Sequence, residues 1–334
     1  MSTETLGRRY IQRIGTLAPV ITLLGLTIFF SVIGRTFLTR DNILNVLQQN
    51  SALAIMSVGI TFVLLCSEID LSIAFMATFS GVLAAFLYVL LVRVAPNMPD
   101  TFRQGIPILA AILSSALLGT VNGLCTAWLG LPSFMVTLAM FLITKGLALR
   151  ITKGAPIFQI PPALQRLGTG SVSLAGFAVP NICLLAALSL ALGFFVLHWT
   201  RFGRYVYMVG GNRQAAELAG INVRAITAAC LSVCGATAGI SGITMIGRMG
   251  SAQAEGLEGM LIDCISAVVL GGTSLFGGRG GIPNTLVGLL TLGVLHNGLN
   301  HVNINIYMKE FISGLILLGA LILNVAMARM KRPD

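Results

Sequence analysis

The sequence predicts an all-α, polytopic membrane protein of about ten transmembrane helices, and three observations carry that prediction. First, 56% of residues are hydrophobic and only 10% charged, with a mean hydropathy of +0.91, where soluble domains run at roughly 25% charged. Second, apolar runs of a length that crosses a bilayer as a helix, roughly twenty residues, recur along the whole chain. Third, the longest polar interruption in the second half, residues 201–224, carries four arginines and one acid and is flanked on both sides by such runs.

Taken in order, the runs fall at 15–34, 50–66, 72–92, 107–129, 132–150, 179–199, 225–247, 259–276, 283–300 and 308–327. The first follows the basic stretch of MSTETLGRRYIQRIG. It exceeds a signal-peptide core in length and lacks a small-x-small cleavage site, so it reads as an uncleaved span. Six runs precede residues 200–224 and four follow. That segment then lies on the same side as the N-terminus, and the C-terminus returns there. Charge agrees, because eleven Lys and Arg fall on the segments this puts inside and eight on those outside, with Lys145 and Arg150 in the fifth run. The inner charges (Arg8, Arg9, Arg13, Arg201, Arg204, Arg213, Arg224, Arg279, Arg329, Lys331 and Arg332) cluster beside span ends, where they orient a helix most. The net charge of +10 is therefore a membrane-orientation signal and excludes a nucleic-acid reading, since no basic groove with interleaved aromatics is present. The chain reads as one transmembrane domain, 1–334. The long Pro/Gly-rich segment 151–178 is expected to form an ordered outer loop. Asn122-Gly123-Leu124 recurs as Asn297-Gly298-Leu299, five spans later. A repeat of five spans has inverted topology, so the pattern admits an inverted five-plus-five repeat.

Inside 200–224 the ends of a short helix are written locally. Asn212 is an N-cap residue whose side-chain oxygen accepts from a first-turn N–H. Arg213 to Ala219 contain strong helix formers, and Gly220 can take the left-handed conformation that closes a helix. So short a helix is unstable alone, and needs either the protein's own base or a partner. Residues alone leave two readings, a basic loop resting on lipid headgroups and a docking helix for a soluble partner.

Chemistry elsewhere is sparse. Ser67-Glu68-Ile69-Asp70-Leu71-Ser72 places two carboxylates at a span end, where ionisable groups are costly and usually functional. Asp70 reads either as a path-lining group or as the N-cap of the third span, favoured there by the helix dipole. Asp263, near the outer end of the eighth run, is expected either to line a pathway or to pair with Arg248. Lys145 is expected to snorkel outward. Asn122 and Asn297 complete the path candidates. The six cysteines (Cys66, Cys125, Cys183, Cys230, Cys234 and Cys264) lie in or beside apolar runs with no CxxC and no histidine at ligand spacing, so no metal site is expected. The glycine-rich run Gly271 to Gly281 matches neither GxxxxGK[ST] nor GxGxxG, so no ATP site, no cofactor and no enzymatic constellation are expected in this chain. Gly271-Gly272 is expected to break the eighth span or to pack closely, and Pro132 to sit in the first turn of the fifth.

Four motifs in order carry a family resemblance over residues 37–323. Phe202-Gly203-Arg204, Gly210-Gly211-Asn212, Ala215-Ala216 and Gly220-Ile221 resemble the coupling segment of monosaccharide ABC-importer permeases of the ribose, xylose and arabinose type. Glu68-Ile69-Asp70-Leu71-Ser72, Leu131-Pro132-Ser133-Phe134 and Val269-Leu270-Gly271-Gly272-Thr273-Ser274-Leu275 are similar to three further motifs of that family. Ala74 stands where the family has a glycine. The resemblance implies a vitamin B12-type importer architecture. It also implies the membrane subunit of an importer for a pentose or hexose in the bacterial inner membrane, working by alternating access as a homodimer or heterodimer. A cytoplasmic ABC ATPase and an extracytoplasmic sugar-binding protein are the implied partners. The ATPase would be met by Arg204, Gly211, Asn212, Ala215, Ala216, Glu217 and Gly220. Two alternatives stay open, an ion-coupled secondary transporter using Glu68, Asp70 or Asp263, and a permease of the same family for a nucleoside or other small polar solute.

Overall fold

The structure, a computed structural model of the chain, describes residues 3–174, 177–302 and 304–330. Every predicted apolar run contains a helix. In order these are α1 (Thr3–Ile33), α2 (Arg40–Leu65), α3 (Ile73–Val94), α4 (Asp100–Ala127), α5 (Ser133–Thr152), a short α6 (Pro162–Thr169), α7 (Asn181–Trp199), α8 (Arg201–Gly211), α9 (Arg213–Leu218), α10 (Val223–Met249), α11 (Gly259–Leu270), α12 (Ile282–His301) and α13 (Ile306–Met330). Among the described residues, six of them, α2, α3, α4, α5, α7 and α10, are long and apolar enough to cross a membrane.

Three expectations are corrected. The chain is not all-α, because β1 (Ser171–Leu174) and β2 (Phe177–Pro180) form an antiparallel hairpin within and just beyond the segment read as a loop, which also holds α6. The eighth run is not a full-length span. Its helix, α11, has 12 residues and rises about 18 Å, against the roughly 30 Å of a hydrocarbon core. It stops at Gly271 because Gly272 takes φ +100° and turns the chain away. Pro132 stands one residue before α5, as its N-cap with extended backbone. The predicted inner charges Lys331 and Arg332 lie outside the described residues, as do the side chains of Arg8, Arg9, Arg13 and Arg329.

The core is organised on α2 and α10. On α2 every residue from Ser51 to Leu65 is buried, and α10 packs against α2, α3, α4 and α6. Close approach is made by small residues, as in membrane bundles where packing rather than hydrophobicity drives association. Gly119 on α4 faces Gly235 on α10 so closely that a Cβ on Gly119 would fall 2.8 Å from the Gly235 Cα. Buried hydroxyls are satisfied inside the bundle. Ser241 Oγ donates to the Ala52 carbonyl at 2.8 Å, and Thr61 and Thr285 share a hydrogen bond of 2.7 Å.

The connections fall alternately at two ends. At one end meet the 66–72 turn, the start of α5, α8–α9 and the 271–281 turn: Ile69 N–H donates to Ser133 Oγ at 3.1 Å, and Tyr207 O–H to the Gly280 carbonyl at 2.9 Å. At the other end, Ile157 pairs with Ala252 as an isolated antiparallel bridge, Ala163 N–H donates to Gln104 Oε1 at 2.8 Å, and Lys145 pairs with Glu258 at 2.9 Å. The hairpin belongs to this second end, where the Arg40 guanidinium lies 4.7 Å from the Phe177 ring centre.

Candidate functional site

The end that carries residues 200–224 is built from local capping signals. Thr200 Oγ1 accepts from Gly203 N–H at 3.2 Å and starts α8, a helix that residue-level reading missed. Gly203, Val206, Val209 and Gly210 on α8 are buried while Arg201, Arg204, Tyr205 and Met208 are exposed. An eleven-residue amphipathic helix with five aromatic or β-branched residues and three glycines has weak propensity and forms because that apolar face packs on the bundle. Asn212 Oδ1 then accepts from Ala215 N–H at 3.0 Å and starts α9. The helix closes in a Schellman motif: Gly220 has φ +78°, its N–H donates to the Glu217 carbonyl at 2.9 Å, and Ile221 N–H to the Ala216 carbonyl at 3.0 Å. Asn222 caps the next helix, α10, in the same way, accepting from Ala225 N–H at 3.0 Å.

Of the predicted coupling residues, Arg204, Gly211, Asn212, Ala215, Glu217 and Gly220 are exposed. Ala216 turns inward and joins the core, so it seats α9 on its own bundle. Leu218 is 90% exposed, a large apolar side chain standing off the end of α9. Phe276 of the 271–281 turn, at the same end, is also exposed. The turn itself can be made only by glycine, since Gly277, Gly278, Gly280 and Gly281 all have positive φ.

The path candidates separate. Glu68 is buried and its carboxylate pairs with Arg213 Nη1 at 3.1 Å. Asp70 is not the N-cap of α3, a position held by Ser72. It braces the turn two residues earlier, its Oδ1 accepting from Ser72 N–H at 2.8 Å and from Ser72 Oγ at 2.6 Å. Asn122 Nδ2 donates to the same Ser72 hydroxyl at 3.0 Å, so α4 joins this cluster. The turn's remaining amides are met by α5, Leu71 N–H donating to Thr137 Oγ1 at 3.1 Å. Among the described residues, Asp70 Oδ2 and Asn122 Oδ1 are buried without a partner. Burial pushes the Asp70 carboxyl above its ordinary range, against the Ser72 hydroxyl and N–H, which favour the ionised form.

Asp263 and Asn297 lie toward the opposite end. Asn297 exchanges two amide hydrogen bonds with Asn42, at 2.8 and 2.9 Å. Arg248 donates to the Gln49 carbonyl at 3.0 Å, and among the described residues Asp263 makes no ion pair, so the Arg248 pairing expected of it is not formed. Lys145 pairs with Glu258 at 2.9 Å, its Nζ 5.4 Å from the ring centre of buried Phe75. An apolar cavity of about 310 Å³ between α2, α7 and α12, lined by residues such as Ser51, Ala54, Ala187 and Leu290, contains none of the five candidates. Among the described residues no cluster of three His, Cys, Asp or Glu side chains is placed to hold a metal ion. Sequence reasoning missed Ser67, Arg213 and Asn42 as contact-forming residues. Of these only Ser67 had a visible signal, its place at the head of the polar run Ser67 to Ser72.

An apolar helix bundle with several bilayer-length helices, glycine-mediated packing and a capped helix exposed at one end defines a multi-pass membrane protein. Residues 42–321 match the family described as branched-chain amino acid transport system / permease component, and the chain belongs to that family. It is 35% identical over 334 residues to the ribose import permease of Escherichia coli (strain K12), covering 97% of this chain and 99% of the relative. The ribose import permease of Bacillus subtilis (strain 168) is 36% identical over 314 residues, 92% of each chain. The xylose transport system permease of E. coli (strain K12) is 27% identical over 368 residues, 93% of this chain and 91% of the relative. No solved structure matches the chain.

Proposed function

We propose that this chain is the membrane-spanning subunit of an ATP-binding-cassette importer for a simple sugar, a pentose or hexose. The observation that carries the reading is full-length similarity to permeases named for ribose, together with the capped, exposed α9 in the segment where that family docks its ATPase. ATP hydrolysis belongs to a separate cytoplasmic subunit, and a separate extracytoplasmic protein delivers the sugar at the hairpin end. The chain crosses the bacterial inner membrane about ten times with both termini in the cytoplasm. Supporting that count, the connections alternate between two ends, with α11 contributing a shorter helix between them. The opposite placement of Asn122 and Asn297 along the bundle supports an inverted repeat. Two copies, identical or not, form the path, and the outward- and inward-facing arrangements exchange as the ATPase closes.

The path candidates of one copy lie at its two ends and do not converge, which favours a pathway completed by a second copy over an ion site within one chain. The deciding experiment reconstitutes the chain with its ATPase and binding protein and measures ATP hydrolysis across a panel of sugars. Sugar-stimulated hydrolysis with matching uptake is expected. Uptake by the purified chain alone, driven by an ion gradient, would identify a secondary transporter instead.

A further inference from the structure

The 65–68 turn is the meeting point of three otherwise separate parts of the chain. Gly210 sits so close to the Leu65 carbonyl that no Cβ would fit between them, and the same carbonyl accepts from Gly278 N–H at 2.9 Å. Ser67 holds a left-handed backbone, φ +62°, which a non-glycine residue adopts only when its surroundings impose it. Its hydroxyl is shared between the Gly210 carbonyl at 3.1 Å and the Phe276 carbonyl at 2.7 Å. One residue on, the buried Glu68 carboxylate meets Arg213, the first residue of α9, whose side chain is half exposed. Behind the turn lies the continuously buried half of α2, which in turn touches α12 through Thr61 and Thr285 and α11 through Ser57 and Cys264.

We propose that this turn is the joint that carries movement of α9 into the bundle. Glu68 and Arg213 are its polar latch and Ser67 the pivot binding α8 and the 271–281 turn to the end of α2. The proposal rests on α9 being the ATPase-docking helix. It makes Glu68 a positioning residue rather than a solute ligand. The physical basis is that a short, half-exposed helix can shift the interior only through contacts that stay made while it moves. A partly buried charge pair and a carbonyl wedged against a glycine are the contacts at α9's root that meet this condition.

The test uses the full chain assembled with its ATPase and binding protein in proteoliposomes, and reads sugar taken up per ATP hydrolysed. Glu68→Gln keeps the shape and removes the charge. It is expected to retain the ATPase subunit at wild-type amounts while uptake per ATP falls at least about tenfold. Charge exchange separates a latch from a merely structural carboxylate. Glu68→Arg and Arg213→Glu are each expected to uncouple, and the double variant to recover to within about threefold of wild type. Should Glu68→Gln fail to accumulate, Ser67→Gly, which suits the left-handed backbone but removes the shared hydroxyl, is expected to uncouple in the same way. A Glu68→Gln ratio within about twofold of wild type, or a double variant no better than the singles, overturns the joint. A wild-type assembly without ATP-driven uptake overturns the docking reading, and the joint with it.

Discussion

Gly210 and Gly211 are adjacent, chemically identical and share one motif, yet the structure assigns them opposite tolerances. A methyl group on Gly210 would collide with the Leu65 carbonyl and come within 2.8 Å of Gly278 N. Relieving that overlap pushes α8 off α2, and overpacking of this kind costs about 1–3 kcal/mol. The Gly278-to-Leu65 and Ser67-to-Gly210 hydrogen bonds lengthen at the same time, each worth about 0.5–1.5 kcal/mol. Gly210→Ala is therefore expected to destabilise the protein by about 2–6 kcal/mol, less up to ~1 kcal/mol regained in helix propensity. At Gly211 a methyl group meets nothing within 4 Å, so Gly211→Ala is expected to be neutral or slightly stabilising. Thermal unfolding of the two purified variants in the same detergent, followed by gel-filtration of the remaining monodisperse fraction, measures the difference. At about 2.1 cal/mol/K per residue, a chain of this size shifts by roughly 1.4 °C per kcal/mol, so Gly210→Ala should melt at least about 1–2 °C below wild type. Equal melting of Gly210→Ala and wild type, or an equal loss for Gly211→Ala, would refute the packing argument.

Leu218→Asp removes the exposed apolar side chain of α9 without touching the core, so normal accumulation is expected with at least about a tenfold loss of co-purifying ATPase, the size of a lost apolar anchor; undiminished co-purification would remove Leu218 from the docking surface. In a variant lacking reactive native cysteines, Val172→Cys in the hairpin should react with a membrane-impermeant thiol reagent in intact cells, and Gln214→Cys on α9 only after permeabilisation; the reverse pattern would invert the topology. Because burial raises the Asp70 carboxyl above its ordinary value of 3.8, the native state binds the proton more tightly, and stability should fall as pH rises from that value through the raised one. Asp70→Asn should flatten that slope in melting curves recorded across acidic pH, and an unchanged slope would place the titration elsewhere.

What the sequence determined by itself was whatever depends on near neighbours in the chain. Composition and the recurrence of apolar runs located the long helices, because the requirement to satisfy every backbone amide in hydrocarbon is met within each helix. The bounds of α9 were legible because its Asn212 cap and its Gly220 closure act within a few residues. Of the glycine pair, Gly272 turns the chain at the end of α11 with φ +100°, while Gly271 keeps a helical backbone and packs closely against Asn284. The tertiary structure decided what depends on distant partners. That α8 is a helix follows from a face packed on the bundle. That the Ser72 hydroxyl braced by Asp70 also receives the Asn122 amide follows from α4 packing there, 50 positions along the chain. Asn297 finds Asn42 across 255 positions, and Glu68 finds Arg213 across 145. No local pattern encodes such pairings, since they exist only once the helices between them have packed and excluded every other partner for a buried polar group.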